Sequence, residues 1–191
     1  MSPGPAATGL ERFLGEAERW SAELLESHLS YPLLEFYRSQ HGNQSWLSAL
    51  TCTLDASALV LTAVDGVDRQ QARLTFAMAR HALVDLALVL PRPPRDAHRD
   101  RLPDARLRAL LAALAQAGVA VRGDEPAASK LRELRGLYEP FAAALARYYR
   151  LELPDIWPEG EMPDNWQTSA WMRRAEGFGS LAIDRPADHF D

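Results

Sequence analysis

The sequence predicts an all-α protein, a helical bundle of about five main helices around a central antiparallel hairpin. Three observations predict this class. Apolar residues recur at spacings of three and four along almost every periodic segment, which is typical of amphipathic helices. The segment 46–64 is apolar nearly all the way round, as expected for a helix at the centre of a bundle. Hydrophobic residues make up 47% of the 191-residue chain, which is enough for one packed core.

The first predicted elements precede the hairpin. A helix over 9–29 has an apolar stripe formed by Leu10, Phe13, Leu14, Ala17, Trp20, Leu24 and His28. Pro32 can occupy the first turn of a short helix over 32–39. Gly42 and Asn43 then interrupt the chain. The apolar helix over 44–64 and a helix over 68–90 follow, and the tight turn "DGVD" between them predicts that they pair as an antiparallel hairpin.

The second half of the chain contains a polar connection over 91–104, a helix over 103–117, and a helix that begins near Pro126. We expect a kink or break at Glu139–Pro140, because proline removes a helical hydrogen bond. From Leu153 onward the chain is irregular, and we expect the part up to Trp171 to pack back on the body or on a partner. The predicted organisation is a flexible leader over 1–8, a single helical domain over 9–171, and an irregular or frayed tail over 172–191.

Composition and charge exclude some functions. The net charge of −5 and the isoelectric point of about 5.6 do not favour nucleic-acid binding. Cys52 is the single cysteine, so no intramolecular disulfide forms and a reducing, cytoplasmic compartment is expected. The segment 46–64 is long enough to span a bilayer. However, Asp55 near its centre would cost about 2.5–3.5 kcal/mol on insertion scales, so we predict a buried core helix and no membrane span.

Arginines are concentrated in and just after the polar connection. They are interleaved with aspartates, and the two sets are Arg92, Arg95, Arg99, Arg101, Arg106 and Arg108, and Asp96, Asp100 and Asp104. We interpret this region as a solvated loop and helix start, because the acids offset the charge. The alternative is a surface for an anionic partner, such as a lipid headgroup or another subunit.

The candidate chemistry centres on the hairpin, since the chain has no recognisable catalytic or phosphate-binding motif. His81 and Asp85 are four residues apart and therefore share one helix face. Reflection about the turn places Asp55 opposite about residue 77. The candidate buried polar network consists of Asp55, Arg73, Arg80, His81 and Asp85, which His28 and His41 could join. We favour a structural network, while a metal or ligand site and a catalytic site stay open as alternatives.

The segment "DNWQTSAW" contains Trp166 and Trp171, which are candidate interface anchors. Packing of the two tryptophans against their own bundle is an equally good interpretation.

Three blocks of sequence carry a resemblance. They resemble the cytoplasmic C-terminal region of bacterial potassium channel family proteins of the two-transmembrane, ion-transport type. The blocks are "ESHLSYPLLEFYRSQHGNQSWLSALTCTLDASALVL", "QARLTFAMARHALVDLALVL", and "LYEPFAAALARYYRLELPDIWP" with "DNWQTSAW". The chain has neither a TVGYG-like filter loop nor a second apolar span, so the resemblance implies a domain that does not conduct ions by itself.

The resemblance implies a non-enzymatic cytosolic regulatory or assembly domain at the inner face of the membrane. Its expected partners are further copies of the chain or a channel pore module, and no cofactor is expected. The alternative is an orphan helical-bundle enzyme or metal-binding protein that uses His28, His41, Asp55, His81 and Asp85.

Overall fold

The fold is an all-α bundle, which confirms the predicted class. The computed structural model describes residues 5–31, 33, 45–67, 69–91 and 99–157, and these fall within one compact unit, Met1–Pro158. Within these ranges there are six helices and no β-strand, apart from an isolated bridge between Val64 and Val121. The helices are α1 (Pro5–Ser30), α2 (Trp46–Ala63), α3 (Arg69–Leu88), α4 (Asp104–Gln116), α5 (Glu125–Gly136) and α6 (Glu139–Tyr149).

Helix α2 lies at the centre of the bundle and packs against α1, α3, α5 and α6. Leu47, Leu50 and Leu54 are completely buried, and Ser45 caps the helix by accepting a hydrogen bond from the Ser48 amide. Among the described residues, α2 is the one helix long and apolar enough to cross a membrane, and 67% of it is buried inside the protein. The turn after α2 includes Gly66 with a φ of 76°, a conformation that favours glycine.

Helix α1 packs along α3 in the opposite direction. The Thr75 hydroxyl lies 2.9 Å from the Leu14 carbonyl, and Gln71 donates a hydrogen bond of 2.6 Å to Glu18. The residue numbers rise along one helix as they fall along the other, so the pair is antiparallel. Helix α1 begins at Pro5, and it therefore includes residues 5–8, which we expected to lie in a flexible leader.

Helices α5 and α6 replace the single interrupted helix that the sequence predicted after Pro126. Helix α5 ends at Gly136, Tyr138 has a non-helical φ of −133°, and Pro140 lies in the first turn of α6. A break near Glu139–Pro140 is therefore confirmed, with its centre at 137–138. Proline is accommodated because the first turn of a helix has no internal acceptor for its missing N–H.

The segment 151–156 packs back on the body, as predicted for this part of the tail. The Ile156 amide donates to the Arg101 carbonyl at 3.3 Å, and the Ser48 hydroxyl donates to the Glu152 carbonyl at 3.1 Å. Trp157 remains exposed. The predicted short helix over 32–39 is outside the described residues, except for residue 33.

Candidate functional site

A carboxylate lies inside the core, halfway along α2. Asp55 is only 7% exposed, and the Arg101 guanidinium approaches it with two nitrogens. Arg101 Nη1 is 3.3 Å from Asp55 Oδ1, and Nη2 donates to Oδ2. The Tyr138 hydroxyl, which is completely buried, donates to Oδ1 at 2.5 Å. Asp55 thus accepts hydrogen bonds from three donors, two of which belong to a cation.

A second buried arginine extends the network. Arg135 Nε donates to Glu139 Oε1 at 3.0 Å, and Arg135 Nη2 donates to Asp100 Oδ1 at 2.6 Å. Glu139 Oε1 also lies 3.7 Å from Arg101 Nη1, so one carboxylate joins the two arginines. We name this set the Asp55 cluster, and its members are Asp55, Asp100, Arg101, Arg135, Tyr138 and Glu139.

A third carboxylate–arginine group fixes the returning segment beside the cluster. Asp155 accepts a hydrogen bond of 2.6 Å from Arg99 and another from Arg106. Arg101 Nε donates to the Pro154 carbonyl at 2.9 Å, so the same arginine holds both α2 and this segment. The local charges balance, with Arg99, Arg101, Arg106 and Arg135 opposite Asp55, Asp100, Glu139 and Asp155.

Burial controls the proton affinities inside the cluster. Desolvation raises the pKa of Asp55 although Arg101 opposes it, and desolvation likewise raises the pKa of Glu139 against the attraction of Arg135. The pKa of Tyr138 is raised well above its ordinary value, first by burial and then by the neighbouring Asp55 charge. For Asp100, burial acts in the raising direction, but hydrogen bonds from Arg135 and the Leu102 amide lower its pKa overall. Because the pKa of Tyr138 is raised, its hydroxyl stays protonated and can donate to Asp55.

The predicted polar network around Asp55 has the wrong partners. Asp55 is buried and hydrogen-bonded, but among the described residues none of its bonds is to Arg73, Arg80 or His81. His81 pairs with Asp85 at 3.5 Å, on a surface where its side chain is 60% exposed. Arg80 donates to the Leu137 carbonyl at 3.2 Å. Arg73 is exposed and lines a surface cavity.

The partners of Asp55 were predicted wrongly because the wrong face of α3 was expected to be buried. The helix face that carries His81 and Asp85, which we expected to meet the core, also contains Leu74 and Leu88, and these are 44% and 72% exposed. The face that packs in the core contains Ala72, Ala79, Ala82 and Leu83 with Thr75, Phe76, Leu86 and Ala87. Alanines let helices approach closely, so this face is buried although it is less hydrophobic per residue than a leucine stripe.

Neither of the two histidines that the structure describes, His28 and His81, is hydrogen-bonded to Asp55. His28 is buried at the end of α1, where its Nδ1 lies 2.8 Å from the Leu24 carbonyl. Its ring packs against Trp46 with centroids 4.9 Å apart. The rest of the predicted site, His41, Trp166 and Trp171, lies outside the described residues. Within the described ranges there is no group of three or more His, Cys, Asp or Glu side chains that could hold a metal ion.

Of the Asp55 cluster, only Asp55 itself was a candidate site residue in the sequence. Arg101 and Asp100 belong to the run that we interpreted as solvated, yet Arg101 is 4% exposed. Alternating signs of charge gave no indication that one arginine of the run turns inward. Tyr138 and Glu139 carried a weak signal, since they lie at the predicted helix break, where side chains near a helix terminus often meet other segments.

A cavity of about 320 Å³ lies between the end of α2, the beginning of α3 and the middle of α5. Its lining is formed by Leu61, Thr62, Arg69, Arg73, Phe76, Lys130 and Leu134. None of these residues belongs to the Asp55 cluster.

Fold and site together define an all-α bundle with a buried arginine–carboxylate cluster. Compared with protein-family models, curated proteins and solved structures, the chain matches none of them.

Proposed function

We propose that the chain is a non-enzymatic regulatory or assembly domain associated with a potassium channel, at the cytoplasmic face of the membrane. The observation that supports a non-enzymatic role is the mutual saturation of the polar groups in the Asp55 cluster. Asp55 accepts three hydrogen bonds from Arg101 and Tyr138 and is almost inaccessible to solvent. A general base needs access to the proton that it removes, and this carboxylate is only 7% exposed, with its oxygens already bonded to Arg101 and Tyr138.

The cluster has a structural use that suits such a domain. Buried ion pairs contribute little net stability compared with apolar packing, but they can specify one arrangement of the surrounding elements. Here Arg101 joins α2 to the segment 151–156, and Arg135 joins α5 to residues 100–102. A domain that transmits a displacement needs elements in one fixed arrangement, which this network favours.

The channel association is supported by the positions of the resembling blocks. The first block contains most of α2, the second contains most of α3, and the third contains α6 and the segment 151–157. These elements form the centre of the fold, and Asp55 and Tyr138 of the cluster come from the first and third blocks. The resembling blocks therefore include these central helices, whereas α4 and α5 lie outside them.

Self-association tests this proposal, because a cyclic pore imposes its symmetry on attached domains. We expect multi-angle light scattering over a concentration series to show a single closed assembly larger than the monomer. Far-UV circular dichroism of the same samples serves as the control for folding. A folded chain that stays monomeric at the highest concentration would contradict an assembly role.

Elemental analysis of the purified chain separates this proposal from a metal-dependent function. We expect no stoichiometric Zn, Fe or Mn. The exposed pair His81–Asp85 is the place to examine if metal is found, since it offers two ligands at i and i+4. Stoichiometric metal that is lost in His81→Ala and retained in the exposed control Arg108→Gln would replace the regulatory proposal.

A further inference from the structure

The cavity between α2, α3 and α5 combines an apolar lining with three cations. Leu61, Phe76 and Leu134 supply apolar surface, and Phe76 is mostly buried. Arg69 and Arg73 are four residues apart on one face of α3, and Lys130 faces them from α5. A volume of about 320 Å³ is at the lower end of the range for small-molecule sites, which is roughly 300–1,000 Å³.

The cations of this cavity are only partly neutralised. Arg69 lies 3.3 Å from Asp65, and Lys130 lies 2.8 Å from Glu133. Asp65 is shared, because Arg122 Nε lies 3.1 Å from the same oxygen. Among the residues that the structure describes, no carboxylate is within ion-pair distance of Arg73. Among the described residues, the cations at this cavity, Arg69, Arg73 and Lys130 with the neighbouring Arg122, therefore outnumber their carboxylate partners Asp65 and Glu133, although the net charge of the whole chain is −5.

The chemistry of this lining selects a class of ligand. A guanidinium donates two parallel hydrogen bonds to a phosphate, and arginine is common where planar, bidentate recognition of phosphate matters. A phosphate monoester carries about −1.5 to −2 charges at neutral pH. That charge suits the three cations of this cavity better than a single carboxylate charge does, because Arg69 shares Asp65 with Arg122 and Arg73 has no carboxylate within ion-pair distance among the described residues. The apolar lining next to the cations suits a hydrocarbon or aromatic group attached to that phosphate.

We propose that this cavity binds an organic phosphate, with the phosphate on Arg73, Arg69 and Lys130 and an apolar group against Phe76 and Leu134. A free phosphorylated metabolite and the headgroup region of an anionic phospholipid share this chemistry. The site lies outside the Asp55 cluster and does not depend on the channel association.

Isothermal titration calorimetry with octyl phosphate tests the combination of charge and apolar surface. We expect octyl phosphate to bind at least tenfold more tightly than inorganic phosphate, which lacks the apolar group, and than octanol, which lacks the charge. Binding should weaken as salt is added, because the cations at the cavity are accessible to solvent. Equal affinity for octyl phosphate and octanol, or no binding of octyl phosphate, would overturn the proposal.

Matched variants assign the binding to this cavity. Arg73→Gln removes the cation that has no carboxylate within ion-pair distance among the described residues. The change should weaken octyl phosphate binding about tenfold, which corresponds to the loss of one charge-assisted hydrogen bond. Arg108→Gln removes one positive charge from an exposed position on α4, away from the cavity, and should leave the affinity unchanged. An equal loss in both variants would show a non-specific charge effect and would refute the site.

Vesicles distinguish the two sources of the phosphate. The full chain is sedimented with phosphatidylcholine vesicles that contain phosphatidic acid, and with vesicles of pure phosphatidylcholine. Binding to the acidic vesicles that Arg73→Gln reduces and Arg108→Gln does not would assign the site to a lipid headgroup. Arg73-dependent binding of octyl phosphate without vesicle binding would assign it to a soluble organic phosphate.

Discussion

Removal of the Arg101 guanidinium is the sharpest test of the buried cluster. Arg101→Met keeps an unbranched side chain but deletes the charge and both hydrogen bonds to Asp55. Asp55 then has the Tyr138 hydroxyl as its single remaining donor, in a place where it is 7% exposed. The Pro154 carbonyl also loses its donor.

The expected cost follows from this geometry. Leaving one partner of a buried ion pair without the other destabilises a protein by roughly 3–5 kcal/mol, because the remaining charge is buried and uncompensated. Adding Asp55→Asn removes that charge and keeps an oxygen that accepts from Tyr138. The decrease in the free energy of unfolding of the double variant should therefore be about 2–3 kcal/mol smaller than the sum of the decreases in the two single variants.

Urea unfolding followed by far-UV circular dichroism at neutral pH measures these free energies of unfolding, with m-values compared to check two-state behaviour. Arg108→Met is the matched control, since it removes an exposed arginine and should change stability by less than about 0.5 kcal/mol. Two results would refute this reasoning about the buried ion pair. One is a free energy of unfolding for Arg101→Met within about 1 kcal/mol of the wild-type value, and the other is additivity of the stability losses of the two single variants.

Three further outcomes are expected from the same unfolding assay. Tyr138→Phe should lower the free energy of unfolding by about 1–3 kcal/mol, because Asp55 loses a buried donor; no loss would mean that the Tyr138 bond is not formed. Asp124→Ala should cost about 1 kcal/mol, since Asp124 caps α5 through the Ala127 amide, whereas Asp124→Asn should cost much less. Because burial raises the pKa values of Asp55 and Glu139, the folded chain binds protons more tightly than the unfolded chain between the ordinary and the raised values. Stability should therefore increase as the pH falls from neutral into that window, and Asp55→Asn should reduce this slope; an unchanged slope would contradict the raised pKa of Asp55.

Periodicity and turn chemistry were sufficient to predict the framework. The apolar character of 46–64 identified the central helix, and the "DGVD" turn identified its partner α3. Pro140 identified the break that now separates α5 from α6. These features are local, so a single sequence contains the information needed to predict them.

The partners of Asp55 could not be predicted in the same way. Arg101 lies in an irregular segment, where no periodicity distinguishes an inward side chain from a solvated one. The buried face of α3 was misassigned because large residues such as Leu74 dominate hydrophobicity, while close packing used alanines such as Ala79. The orientation of Arg101 and the buried face of α3 both depend on which elements are in contact in the tertiary fold.

The connections of Arg101 also bear on how the domain unfolds. Asp55, Arg101, Tyr138 and Pro154 are far apart in the sequence. Arg101 donates to Asp55 and to the Pro154 carbonyl, and Tyr138 donates to Asp55, so this set of hydrogen bonds is complete only when all four regions are in place. Detachment of the segment 151–156 alone would remove the Pro154 carbonyl from the buried Arg101, and movement of α2 alone would remove Asp55 and leave Glu139 at 3.7 Å as its nearest described carboxylate. Partial opening is thus penalised at every step, so the described core should unfold as a single cooperative unit.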